Sequence, residues 1–214
     1  MRAAGEIPGL HPSKPEALPF DPALHARAFL LRRELGNLLV YSVGGVGSDG
    51  PAIDDLGGIS RHYLNHRHEA MFPSDRVVAP RFCHENERES VAKTYDVRGT
   101  FSSRHTLDDD FEVIPTPGHT SGATTFLWDS GEHRLLFTGD TIYLKDGDWI
   151  AAVLESSDRD AYLESLELIK GLDFDVLVPW AATGGQPYHA LTNRADTARR
   201  IDAIRARIER GEDH

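Results

Sequence analysis

Three apolar stretches of this chain end the same way, each running straight into a turn that carries an imidazole or a carboxylate. The first is Tyr63-Leu64-Asn65-His66-Arg67-His68-Glu69. The second is Ile114-Pro115-Thr116-Pro117-Gly118-His119-Thr120-Ser121-Gly122, and the third is Leu135-Leu136-Phe137-Thr138-Gly139-Asp140-Thr141. Each apolar stretch is strand-like, so a fold that unites these groups must bring three strand ends to one edge. In extended backbone, residues i and i+2 project to the same side, and the spacing of His66 and His68 therefore predicts two rings facing one point. His119 sits at the apex of a loop shaped by Pro and Gly, where backbone can approach a ligand closely. Each segment also has a plain reading by itself: a pair of exposed histidines, a turn with an incidental His, and an Asp that caps its own backbone.

The rest of the chain supplies the elements to build such an edge. Short apolar runs at 28–31, 38–43, 77–79, 111–114, 124–128 and 135–138 predict strands, with a hairpin turn at 32–37 and a second around 129–132. Helices are predicted at 85–93 and at 158–170, the latter capped by Ser157 and ended by Gly171. A strand follows at 176–178. The segment 191–209 closes the chain as a helix with Ala198, Ile201, Ile204 and Ile208 on one face. Layered sheets flanked by helices are the simplest packing for this order.

Length and charge narrow the possibilities. A chain of 214 residues is expected to form one domain over 21–214, preceded by a Pro-rich N-terminal arm over 1–20. Such an arm can wrap its own domain or that of a second copy in a homodimer, and its composition does not decide. The arm lacks a continuous apolar core and does not resemble a signal peptide, which makes the cytoplasm the expected location. No apolar run is long enough to span a bilayer. Cys83 is the sole cysteine, so a metal site here must be built from His and carboxylates. A formal charge of -11 argues against a nucleic-acid partner and leaves a small-molecule substrate as the expected ligand.

The three segments together resemble the metallo-β-lactamase superfamily, including its glyoxalase II-like hydrolases. There a strand ends in H-x-H-x-D-H, followed by a P-G-H-T loop, a T-G-D turn and a late histidine. The resemblance implies an α+β fold of four layers, an αββα sandwich. It also implies a first metal site at His66, His68 and His119, with Asp140 as the bridging carboxylate. The family's second-site ligands are replaced: Ala70 and Met71 stand where it has Asp and His, and Ala181, in Val178-Pro179-Trp180-Ala181-Ala182, stands for the late histidine. An early acidic turn of the family is replaced by Tyr41-Ser42-Val43-Gly44-Gly45.

On this resemblance one Zn²⁺ is expected at His66, His68, His119 and Asp140, with Asp140 also the catalytic proton acceptor. Three imidazoles with an open position suit a hydrolase of a small ester, thioester or lactam. Two other readings share these residues. One is a mononuclear Fe²⁺ enzyme similar to the persulfide dioxygenases, using His66, His119 and Asp140. The other is a non-catalytic metal-binding or scaffold protein. Glu69 is expected to play a structural part, Trp180 and Met71 to fill the vacated second site, and His62, His105 and His133 to face solvent. Whether Cys83-His84 or His189 reaches the site stays open, and the loops 44–54 and 145–156 are expected to shape the pocket.

Overall fold

The computed structural model describes residues 7–74 and 77–212. Two six-stranded sheets face each other. In the first, strands Leu10–Pro12, Phe29–Leu31, Leu38–Val40, Arg61–Tyr63, Arg81–His84 and Val97–Phe101 lie in that order. Its first three strands pair antiparallel and the remainder parallel. The second sheet runs Ala190–Leu191, Val176–Pro179, Arg134–Gly139, Thr124–Asp129, Phe111–Pro115, His105–Leu107. A smaller five-stranded sheet joins Glu16–Ala17 and Leu24–Ala26 to Ala181–Thr183, Tyr143–Lys145 and Asp148–Ile150.

The main core lies between the two large sheets, where Phe29, Tyr41, Tyr63, Phe111, Phe126, Phe137 and Val178 are buried together. Helices Arg159–Lys170 and Arg194–Glu209 cover the outer face of the second sheet by packing Tyr162, Leu166, Ile201 and Ile204 against Ile114, Leu136 and Leu177. The short helix Arg88–Val91 packs Val91 with Leu64, Cys83 and Tyr95 on the outer side of the first sheet. Helix, sheet, sheet, helix is the αββα arrangement that the sequence predicts.

Both expected hairpins form, one joining Phe29–Leu31 to Leu38–Val40 and one turning at Gly131 between Thr124–Asp129 and Arg134–Gly139. Four expectations are corrected. The strand placed at 77–79 begins instead at Arg81, because Pro80 has no N–H to give; its carbonyl accepts from His62 N at 2.9 Å and the ladder starts after it. The strand at 38–43 stops at Val40, since Tyr41 turns to φ 69°. The helix over 158–170 is capped by Asp158, whose carboxylate accepts from Ala161 N at 3.0 Å, while the Ser157 hydroxyl donates to the His119 carbonyl. The last helix starts at Arg194 with Asn193 as its cap, and Leu191 pairs in a strand. The stretch 85–93 folds as one 3₁₀ turn and a single α turn. From residue 10 onward the N-terminal segment pairs with this same chain, at Phe29–Leu31 and at Leu24–Ala26.

Candidate metal centre

His66 continues the strand Arg61–Tyr63 in extended conformation, and the chain then winds into the 3₁₀ turn Arg67–Met71. His68 therefore reaches the site from a turn, and the alternation rule used for the pair holds only for His66. The second sheet supplies the other two groups. His119 follows Phe111–Pro115 and Asp140 follows Arg134–Gly139, and one ligand atom from each of His66, His68, His119 and Asp140 falls within 4.8 Å of the others. His66 Nε2 lies 3.3 Å from Asp140 Oδ2, His119 Nε2 3.7 Å from the same oxygen, and His68 Nδ1 3.1 Å from His119 Nε2.

Backbone geometry holds these groups in place. Gly118, at φ 140°, presses against helix Arg159–Lys170 so closely that a Cβ would come within 2.5 Å of Tyr162 Cα. The helix fastens the loop through Ser165 Oγ to the Pro117 carbonyl at 2.6 Å, and fastens the next turn through the Tyr162 hydroxyl to the Thr141 carbonyl at 2.7 Å. Gly139, at φ 57°, leaves no room for a side chain beside the Asn65 amide. Tyr41 braces the same glycine, its hydroxyl accepting from Gly139 N and donating to the Val178 carbonyl, both at 2.8 Å.

The rings are oriented one by one. His119 Nδ1 lies 2.6 Å from the Ala152 carbonyl, which leaves Nε2 as a lone-pair donor aimed at the cluster. His66 is fully buried, and its Nδ1 lies 3.4 Å from Glu69 Oε1. Neither ring nitrogen of His66 has a hydrogen-bond partner. A buried imidazole flanked by two carboxylates and facing two further imidazoles is an environment that suits a metal ligand.

Electrostatics separate the three histidines. Burial and the facing imidazoles push His68 down to about 3, and burial holds His119 down at about 4 despite Asp140 beside it. Both rings are neutral at physiological pH, as metal ligands must be. Burial acts on His66 in the same direction, but Asp140 and Glu69 outweigh it and raise the ring to about 10. Burial would raise Asp140, yet the three imidazoles keep its carboxyl below the ordinary range. Burial raises the Glu69 carboxyl in turn, although His66 and the backbone N–H groups act the other way.

Glu69 takes the structural part expected of it, directly behind His66. Its side chain is fully buried and accepts from Asn65 N at 2.7 Å, Ser42 N at 2.8 Å and His66 N at 3.2 Å. Its place at the third position of a turn that follows an extended His66 was the available signal. Trp180 fills space as expected, packing on His66 and Phe72 and donating from Nε1 to the Ser42 carbonyl at 3.0 Å. Met71 does not, because its turn points it to solvent at 58% exposure; Ala70 and Ala181 are buried.

The remaining histidines are elsewhere. His62 is fully buried, a correction to the expected solvent-facing position, and its Nε2 lies 2.8 Å from the Tyr41 carbonyl. His105 is exposed, and His133 is partly exposed against Asp175 at 2.7 Å. Cys83 sits in the outer core and the His84 ring accepts from Asn86 N, while the His189 ring lies tilted against Tyr188; none of the three joins the cluster. The segment 44–54 folds as the helices Gly44–Asp49 and Gly50–Asp55 over a hollow lined by His11, Leu30, Leu39 and Ile53, away from Asp140. The pocket that contains Asp140 is walled by Lys145 and Ala151–Val153 from the other expected loop, 145–156, together with Leu18, Phe20 and Leu24. Among the described residues no helix is long and apolar enough to cross a membrane.

Similarity to known proteins follows this architecture. Solved structures with the same fold include a metallo beta lactamase from Hirschia baltica, 12% identical with a TM-score of 0.69, the match covering 92% of this chain and 94% of that one. ETHE1 from Myxococcus xanthus is 18% identical with a TM-score of 0.62, covering 85% and 80%. A metallo-beta-lactamase superfamily protein from Sulfolobus tokodaii is 16% identical with a TM-score of 0.60, covering 92% and 86%. No curated protein sequence matches the chain. The family model for the metallo-beta-lactamase superfamily matches residues 57–181, a span that takes in His66, His68, His119 and Asp140. With more than half of its length matched and its fold shared with these structures, the chain belongs to the metallo-beta-lactamase superfamily.

Proposed function

We propose that the protein is a metal-dependent hydrolase of small ester, thioester or lactam substrates, working with a single zinc ion held by His66, His68 and His119, with Asp140 beside the position left open. The observation that carries this reading is the convergence of three imidazole nitrogens and one carboxylate oxygen within 4.8 Å. The donor set fits zinc: His119 is fixed as an Nε2 donor, and His66 Nε2 is buried without another partner. A zinc ion so held supplies a Lewis acid for the carbonyl and makes water acidic enough to attack near neutral pH.

The chain's own residues do the rest. Asp140 faces both the imidazoles and the adjacent pocket, so its carboxylate accepts the proton of the attacking water and returns it to the leaving group. Glu69 keeps His66 oriented from behind. A single ion is favoured because Ala70 and Ala181, matched to ligands of the family's second site, carry no donor atom, and Met71 is turned to solvent. Lactams belong among the substrates to try because the Hirschia baltica structure of the same fold is a metallo beta lactamase.

The test is metal content by elemental analysis of protein purified without added metal, alongside turnover of an ester, thioester and lactam panel, repeated on His119→Ala. About one zinc per chain, lost together with turnover in the variant, supports the reading. Iron in place of zinc moves the assignment to oxygen chemistry, and a metal-loaded protein inert to the panel overturns hydrolysis.

A further inference from the structure

A hollow of about 290 Å³ opens beside the cluster, with Asp140 in its wall. Its apolar lining comes from two distant parts of the chain. Leu18 and Leu24 belong to the N-terminal segment, which pairs into the small sheet; Ala151 and Val153 follow the strand Asp148–Ile150. Ala181, with a single methyl, leaves space next to Asp140. Phe20 stands at the rim with 67% of its surface exposed, an arrangement unusual for a ring that has a core to enter.

The far wall is tied to the chemistry. The Ala152 carbonyl is the partner of His119 Nδ1 at 2.6 Å, and Ala152 N donates to the Asp140 carbonyl at 3.3 Å. The neighbours Ala151 and Val153 are therefore fixed relative to the cluster. Charge in the hollow is net negative. Among the described residues that line it the one cation is Lys145, 3.8 Å from Asp21, and Asp140 adds a second negative charge at the inner end.

We infer that this hollow is an acyl-group pocket that takes a short, uncharged aliphatic or aromatic acyl chain and discriminates against anionic tails. The inference rests on the hydrolase reading for the carbonyl chemistry and on the hollow's own walls for the choice of substrate. The volume is at the small end of ligand sites, which suits a short chain. Leu18, Leu24 and Val153 receive the methylenes, Phe20 closes over the outer end, and a terminal carboxylate would meet Asp21 and Asp140 with only the already paired Lys145 to offset them.

The test is binding of a neutral primary amide series, from acetamide to hexanamide, and of succinamate, to the zinc-incubated full chain. Binding is followed by methyl NMR of Leu18, Leu24 and Val153. The expected result is a two- to fourfold gain in affinity for each added methylene, the range set by burying a CH₂. Shifts are expected at those three residues, with succinamate binding at least tenfold more weakly than butanamide. Phe20→Ser, a change at an exposed position, is expected to reduce the gain per methylene. Affinity independent of chain length overturns the proposal, as do succinamate binding equal to butanamide and shifts confined to the hollow of Leu30, Leu39 and Ile53. Because no turnover is read, failure here is distinct from failure of the hydrolase reading, which metal content and the substrate panel report.

Discussion

Glu69 Oε1 lies 3.4 Å behind His66 Nδ1 and, at the same time, accepts from the backbone N–H groups of Asn65 and His66. One carboxylate thus folds the turn and aims the ring. Glu69→Ala leaves three buried N–H groups without an acceptor and is expected to cost about 2–5 kcal/mol, measurable by urea unfolding. Glu69→Gln keeps part of that bonding and removes the charge, and is expected to weaken metal binding by about 10- to 100-fold in a chelator competition titration. Unchanged affinity in the Gln variant would show that Glu69 serves the fold alone.

Tyr41 links two sheets through one hydroxyl, between Gly139 N and the Val178 carbonyl. Tyr41→Phe removes only that oxygen and orphans a buried N–H one residue before Asp140. A loss of about 1–3 kcal/mol in denaturant unfolding is expected. Loosening of the Asp140 turn should appear as weaker metal retention during dialysis.

Gly139 is left-handed at φ 57° and abuts the Asn65 side chain. Gly139→Ala adds conformational strain of about 1–2 kcal/mol to a steric clash that must push either Asn65 or the turn aside. The expected outcome is a lower Tm together with less than one metal per chain, whereas Gly50, with open space around it and a right-handed helical backbone, should tolerate the same change.

The pH dependence of stability has one clear contributor outside the site. Burial lowers His62 to about 3, with its bond to Tyr41 acting the other way. In the unfolded chain the ring titrates near 6.5. Between those values the unfolded state binds the extra proton, so stability falls as pH drops from about 6.5 towards 3, with a slope of up to about 1.4 kcal/mol per pH unit. His62→Gln should flatten the urea midpoint across pH 6.5 to 4.5, and an unaltered slope would assign the acid sensitivity to other groups.

How much of this was legible depended on whether the cause was local. Pro117-Gly118-His119-Thr120 and Thr138-Gly139-Asp140-Thr141 announce themselves because their glycines answer to backbone demands written in adjacent residues. His66 and His68 were legible as a pair, although His68 reaches the site through a 3₁₀ turn instead of an extended strand. His62 was misread as surface. Its parity with Leu64, two residues on and equally buried, was the signal that it belongs to the face of its strand covered by Val91 and Tyr95. Glu69 was legible as a structural residue but its partners were not, because a buried carboxylate is recognised only by the N–H groups that surround it, and Ser42 comes from another strand end. The part of Leu18 and Phe20 in the pocket rests on pairing between Glu16–Ala17 and Leu24–Ala26, then on to Ala181–Thr183, which no local pattern announces.

The cluster is drawn from both large sheets, with His66 and His68 from the first and His119 and Asp140 from the second, and the Asn65 amide bonds across to the Thr124 carbonyl. His68 and His119 are 51 positions apart in the chain, so a loop of that size must close before the two rings meet. The centre is therefore complete only when both sheets are in place, and its assembly is expected to follow their closure, which refolding with and without added metal would report. An ion captured by it would leave the refolding rate nearly unchanged and act on the reverse step, lengthening the lifetime of the closed sandwich.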